Sequence, residues 1–154
     1  MTKSNIVSMA AWTASGVDRD SDVLRNIEDV VGGAGDDQIT GDAGYNEIRG
    51  GEGNDQISGG AGSDTYLFGL GDGQDEITDL GSALETDRLL LEVASTEVAV
   101  NRGSSSVWDM ELVIGTNGDS VTIIDHFGDS QYFIEEVHFS DSVVWTESDL
   151  RAAY

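Results

Sequence analysis

A unit of nine residues recurs through the middle of this chain and restricts its fold more than any other feature. GGAGDDQIT (Gly32–Thr40), GDAGYNEIR (Gly41–Arg49), GGEGNDQIS (Gly50–Ser58) and GGAGSDTYL (Gly59–Leu67) follow one another without a gap. After Phe68 and Gly69 comes a fifth unit, LGDGQDEIT, from Leu70 to Thr78. Fourteen of the 20 glycines lie between Gly32 and Gly73. Helix is excluded there, because each helical glycine costs about 1 kcal/mol relative to alanine. The eighth position is apolar or aromatic throughout: Ile39, Ile48, Ile57, Tyr66 and Ile77. Its neighbours are mostly polar, so each unit predicts a short strand with one inward side chain. Val30, nine residues before Ile39, carries the register one step back. One such strand buries nothing alone. Stacked units share a continuous core, so the spacing predicts a small parallel β-roll.

The sixth position carries oxygen: Asp37, Asn46, Asp55, Asp64 and Asp75. A carboxylate after a glycine-rich turn, with backbone carbonyls beside it, suits a hard cation. High oxygen count favours Ca2+ over Zn2+ or Mg2+. Charge agrees: 30 acidic residues face 7 basic ones, a formal net charge of −23. Nucleic acid and anionic membrane surfaces are excluded as partners, since both require clustered cations. The chain has no cysteine, hence no disulfide or thiolate metal site, and no proline. No apolar run reaches the ~20 residues of a membrane span, so no membrane insertion is expected. The first residues, MTKSNIVSMAAWTASG, do not read as a cleaved leader.

These residues resemble the RTX family of haemolysin-type calcium-binding repeats over residues 26 to 78. The resemblance implies a right-handed roll in which two units make one coil and unit n faces unit n+2. Asp37 and Asp55 would then flank one ion, Asn46 and Asp64 a second on the opposite side, and Asp55 and Asp75 a third. Backbone carbonyls of the first, third and fifth turn positions would complete each shell. These are Gly32, Ala34 and Asp36; Gly41, Ala43 and Tyr45; Gly50, Glu52 and Asn54; and Gly59, Ala61 and Ser63. Roughly two to three Ca2+ ions are expected. Three departures from the pattern stand out. Asn46 offers a neutral oxygen and implies a weaker site, Asp42 replaces the second glycine and strains the turn or adds an outer carboxylate, and Leu70 opens the fifth unit.

Residues 1–25 form a lead-in. Asp18, Asp20 and Asp22 have EF-hand loop spacing, but Val23 stands where that loop needs glycine. LRNIEDVVGG reads instead as a strand that starts the roll. Residues 79–154 alternate apolar and polar in DRLLLEV, EVAVNR, MELVIG, SVTIIDHF, YFIEEVHF and SVVWT, with TNGDS as a hairpin turn and a short helix capped by Thr146 or Ser148. The expected class is therefore all-β, a roll followed by an antiparallel β cap. FGLGDGQDEITD, SVTIIDHF and IEEVHFSDSVVWTESDL resemble the haemolysin-type calcium-binding-related domain.

No HExxH, GxSxG or P-loop lysine is present, so no enzyme is expected. His126 and His138 read as strand positions facing solvent or a cap. Trp108, Phe127, Tyr132, Phe133 and Trp145 read as core or cap. By resemblance the module belongs to proteins exported by type I secretion machinery and acts extracellularly or at the cell surface. SDLRAAY is expected to carry part of an uncleaved export signal. The alternative is a calcium-dependent adhesion module with a glycan or protein ligand.

Overall fold

The computed structural model describes residues 28–81, 84–104, 106–128 and 134–153, and before them the backbone of three short strands at residues 6–8, 14–15 and 23–25. Asp18, Asp20, Asp22, Tyr132 and Phe133 lie outside the described residues. The chain builds two sheets. The first has eight strands: β1 (Ile6–Ser8), β3 (Val23–Arg25), β5 (Gln38–Thr40), β7 (Gln56–Ser58), β9 (Gln74–Ile77), β13 (Asp119–Ile123), β12 (Met110–Ile114) and β11 (Val98–Arg102), in that order. The second has seven, in the order β15 (Val144–Thr146), β14 (Glu136–Phe139), β10 (Arg88–Leu91), β8 (Thr65–Phe68), β6 (Glu47–Glu52), β4 (Asp29–Ala34) and β2 (Ala14–Ser15).

Successive strands of the repeat alternate between the sheets, so each unit stacks in parallel on the unit two before it. Ile39 pairs with Ile57 and Ile57 with Ile77 in one sheet. Val30 pairs with Ile48 and Ile48 with Tyr66 in the other. All six are buried, which fills the space between the sheets with one apolar residue per unit. The turns require glycine where coils touch. Gly51 has φ +111°, and a Cβ there would run into the backbone carbonyl oxygen of Gly33 one coil away.

The parallel stacking continues past the repeats. β10 pairs in parallel with β8 and with β14, setting Leu89 between Tyr66 and Val137. β13 pairs in parallel with β9, setting Ile123 beside Ile77. Antiparallel pairing then closes both sheets: β11 with β12 and β12 with β13 at one edge, β14 with β15 at the other. The helix α1 (Glu147–Ala153) follows β15. Its cap is Thr146, whose amide and hydroxyl both donate to Asp149 Oδ2, at 2.9 and 2.7 Å. Leu150 anchors it in the core. Among the described residues no helix is long and apolar enough to cross a membrane.

Candidate metal centre

In each of the first four units the sixth-position side chain folds back over the unit's first glycine. A Cβ on Gly32, Gly41, Gly50 or Gly59 would collide with Asp37, Asn46, Asp55 or Asp64 respectively. Glycine at the first position is thus the space in which the oxygen ligand lies. The stacking then arranges these side chains in two columns, one at each side of the roll. Asp37 donates its amide to Asp55 Oδ1 at 2.8 Å, and Asp55 donates its amide to Asp75 Oδ1 at 3.0 Å. Asn46 donates its amide to Asp64 Oδ1 at 2.8 Å. The three pairings expected from the sequence are all brought together. All five side chains are buried.

Burying carboxylates in a column is costly unless something compensates them. Backbone amides satisfy one oxygen each of Asp55, Asp64 and Asp75. Oδ2 of Asp55 and Oδ2 of Asp64 are fully buried and accept no hydrogen bond. With no cation present, burial, as the leading cause, pushes Asp55 and Asp64 up to about 6 and Asp75 up to about 8. Neighbouring carboxylates push in the same direction. Orphaned anionic oxygens at this depth, with no lysine or arginine paired to them among the described residues, fit a divalent hard cation.

The other expected positions divide. The first-position residues Gly32, Gly50 and Gly59 are buried beside carboxylates, and Gly41 beside the Asn46 carboxamide. The third and fifth positions lie further out. Asp36 Oδ1 accepts the Asn54 amide at 2.9 Å, and Ser63 Oγ accepts the Thr86 amide at 3.0 Å. The Glu52 carbonyl already accepts the Gly35 amide at 2.7 Å. Ala34 pairs with Glu52 between coils, Ala61 donates its amide to the Asp42 carbonyl, and Ala43 and Tyr45 are exposed.

The second unit departs from its neighbours as its sequence does. Asp42 takes no left-handed conformation. It is not strained; its Oδ1 instead accepts the Gly44 amide at 2.7 Å within its own turn. Asn46 turns its amide nitrogen to Gly44 O at 2.7 Å and to Asp64 Oδ1 at 3.2 Å. It therefore acts as a donor to Asp64, which partly compensates that carboxylate without a metal.

Several acidic residues outside the nonapeptide pattern join the columns. Asp64 donates its amide to Asp87 Oδ1 at 2.6 Å, and Asp87 donates its own to Glu135 Oε2 at 2.7 Å. The sequence signal was present at Asp87-Arg88-Leu89, which repeats the Asp-x-apolar core of the unit without its glycine turn. On the other side the column ends at Asp75, because Val121 occupies the next register position. Elsewhere Arg49 compensates acids directly, reaching Asp72 at 3.2 Å and Glu92 at 3.1 Å.

The histidines lie apart from this centre. His126 is not a solvent-facing strand residue; it is buried in the turn after β13, edge-on to Phe127 at 4.7 Å. His138 lies in β14 with its Nε2 2.8 Å from Glu136. Trp145 packs on Phe139 at 4.4 Å, whereas Trp108 is exposed.

Comparison with known protein families gives two matches. Residues 31–66 and 46–77 match the RTX calcium-binding nonapeptide repeat (4 copies). Residues 109–149 match the haemolysin-type calcium binding protein related domain. None of the curated proteins matches the chain.

Proposed function

We propose, for a chain that carries RTX calcium-binding nonapeptide repeats ahead of a haemolysin-type calcium-binding-related domain, that calcium completes its fold. The repeats make it a calcium-binding module. The proposal is that binding and folding are one event and that the module serves the folding and export of a type I-secreted protein. The observation that carries it is the pair of buried, unpartnered oxygens on Asp55 and Asp64. Without a cation the columns are self-repelling. With one, each carboxylate gains the charge it lacks.

Magnitudes are adequate for a switch. Extracellular calcium modules bind with Kd of about 10⁻⁴ to 10⁻³ M. At about ten times Kd each ion adds roughly 1.4 kcal/mol, so three add about 4 kcal/mol, comparable to the stability of a small domain. A calcium-poor interior would leave the acidic chain unfolded for passage through an exporter, and calcium outside would fold it. The family-level role is non-catalytic.

The test is a calcium titration followed by far-UV circular dichroism, with magnesium as control. A cooperative gain of β signal at sub-millimolar to millimolar calcium, absent with magnesium, is expected. An identical spectrum in EDTA and in calcium would overturn the coupling of folding to binding.

A further inference from the structure

We propose that the outer face of the first sheet is a binding groove for a neutral polysaccharide, which side-chain amides, hydroxyls and carboxylates hold through its hydroxyl groups. This is a surface that calcium binding leaves without a role.

The alternation that buries Ile39, Ile57 and Ile77 turns Gln38, Gln56 and Glu76 outward, where they are exposed. Thr122, between buried Val121 and Ile123, and Glu111, between buried Met110 and Leu112, face the same way. Register sets these five side chains in one row. Gln38 pairs with Gln56, Gln56 with Glu76, Glu76 with Thr122 and Thr122 with Glu111. Two cavities lie along the row, of about 320 and 260 Å³, and both are lined by Gln56 and Glu76. They form one furrow that runs across the strands. Neighbouring strands stand about 4.8 Å apart, so the row offers polar groups at nearly the spacing at which an extended chain of pyranose rings repeats.

The wall of the furrow selects its occupant. Among the described residues no lysine or arginine lines either cavity. With a formal net charge of −23 on the chain, anionic polymers are repelled. Apart from Ile39 and Ile57 the lining residues are polar, so an apolar ligand gains little there. What remains is a mixture of donors and acceptors. A carboxamide or carboxylate holds two hydrogen-bonding atoms in one plane and can meet two neighbouring hydroxyls at once. A polymer dense in hydroxyls and without charge matches that set.

The site is held in shape by its own hydrogen bonds. Gln74, in the wall of the larger cavity, donates Nε2 to the Gly118 carbonyl at 3.0 Å. Its backbone amide donates to Asn54 Oδ1 at 3.1 Å, and the Asn54 amide donates in turn to Asp36 Oδ1 at 2.9 Å. Gln38 Nε2 reaches Gln56 Oε1 at 3.4 Å and links two members of the row. Ser104, in the segment after β11, also lines the larger cavity and bounds the furrow on that side. Side chains ordered beforehand lose less entropy when a ligand binds. Among the described residues no aromatic ring lines the furrow, so each sugar is held weakly. A repetitive polymer offsets this by presenting the same unit again. The row crosses β5, β7 and β9, so the groove exists only where the coils are stacked.

The test uses the full chain in millimolar calcium, with circular dichroism to show that it is folded. Native electrophoresis through gels cast with galactomannan, mixed-linkage glucan or dextran should retard the chain in at least one of these neutral polymers. A gel cast with hyaluronan, which is anionic, should not retard it. Gln56→Ala removes one amide of the row and should raise the Kd for the retarding polymer about five- to tenfold. Thr122→Tyr fills the furrow and should abolish retardation. Both changes lie on the outer face and should leave the calcium titration unchanged. Free passage of the folded chain through all three neutral gels would overturn the proposal. Retardation of both variants equal to that of wild type would do the same, as would stronger retardation by hyaluronan. Binding confined to a hexa-arginine peptide, and lost at about 0.5 M salt, would make this an electrostatic face for a basic protein and overturn the glycan assignment. Should Thr122→Tyr fail to fold, Gln56→Ala decides. A β signal indifferent to EDTA would overturn the calcium reading and leave this result standing.

Discussion

Asp55 donates its backbone amide to the Asp75 carboxylate at 3.0 Å, and on its own Oδ1 it receives the amide of Asp37 at 2.8 Å. It is the middle member of its column, with a carboxylate above and below. If each gap holds an ion, Asp55 serves two and Asp37 serves one. Asp55→Ala should then remove about 2.8 kcal/mol of calcium-dependent stability at about ten times Kd, and Asp37→Ala about 1.4 kcal/mol. Denaturant melts of both variants at fixed calcium give the comparison. Equal losses would mean that Asp55 is not shared.

Glycine in the turns acts by two separable effects, backbone conformation and space. Gly51 has φ +111° and faces the Gly33 carbonyl oxygen, whereas Gly118 has φ +94° with nothing within 4 Å of its Cβ position. Gly118→Ala should therefore show conformational strain alone, about 1 kcal/mol. Gly51→Ala must also push two coils apart and should cost several times more. Urea melts in saturating calcium measure both. Equal costs would show that the coils are free to separate.

Much of this was legible because the repeat fixes period, strand and ligand with the same nine residues. Ile39, Ile48 and Ile57 announce the core by recurrence alone, and Asp37, Asp55 and Asp64 announce the columns. What lies beyond the repeat was less legible. DRLLLEV shows a strand but not its direction. Strand direction depends on the neighbour it meets, and the open edge of β8 accepts β10 in parallel. Asp79 has no spacing that links it to Asp64, and Asp87 repeats the Asp-x-apolar core of the unit but lacks the glycine turn that marks the others. They meet only once the loop between β9 and β10 has closed. His126 alternates like a surface strand residue in the sequence, but the chain turns at that point and buries it.

The acidic columns also dictate a pH response. Without a cation, Asp55 is raised to about 6 and Asp75 to about 8, mainly by burial, from the ordinary value of about 3.9. A folded-state pKa above the unfolded one means stability that is fully present below about pH 4 and is lost as pH rises through 6 to 8. In EDTA the β signal should be greater near pH 5 than near pH 8. Calcium reverses the trend, because the ion must displace those protons, so its Kd should tighten from about pH 6 to pH 8. Circular dichroism in EDTA and calcium titrations at both pH values measure the two trends. An EDTA spectrum indifferent to pH would argue against ionised columns as the cause of instability.

His126 gives the opposite sign from a different part of the fold. Burial, the leading cause, lowers it to about 4; Arg151 on α1 adds to that and Glu147 on the same helix opposes it. The unfolded chain binds its proton near pH 6.5. Stability from this residue is therefore fully present above about pH 6.5 and is lost as pH falls toward 4. His126→Phe, a ring without a proton to bind, should flatten the acid limb of stability in saturating calcium while leaving calcium stoichiometry unchanged. The direct measurement is the ring shift of His126 by NMR across that range. A midpoint at the ordinary histidine value would mean that the turn after β13 opens to water, and the acid sensitivity would then belong to the carboxylate columns alone.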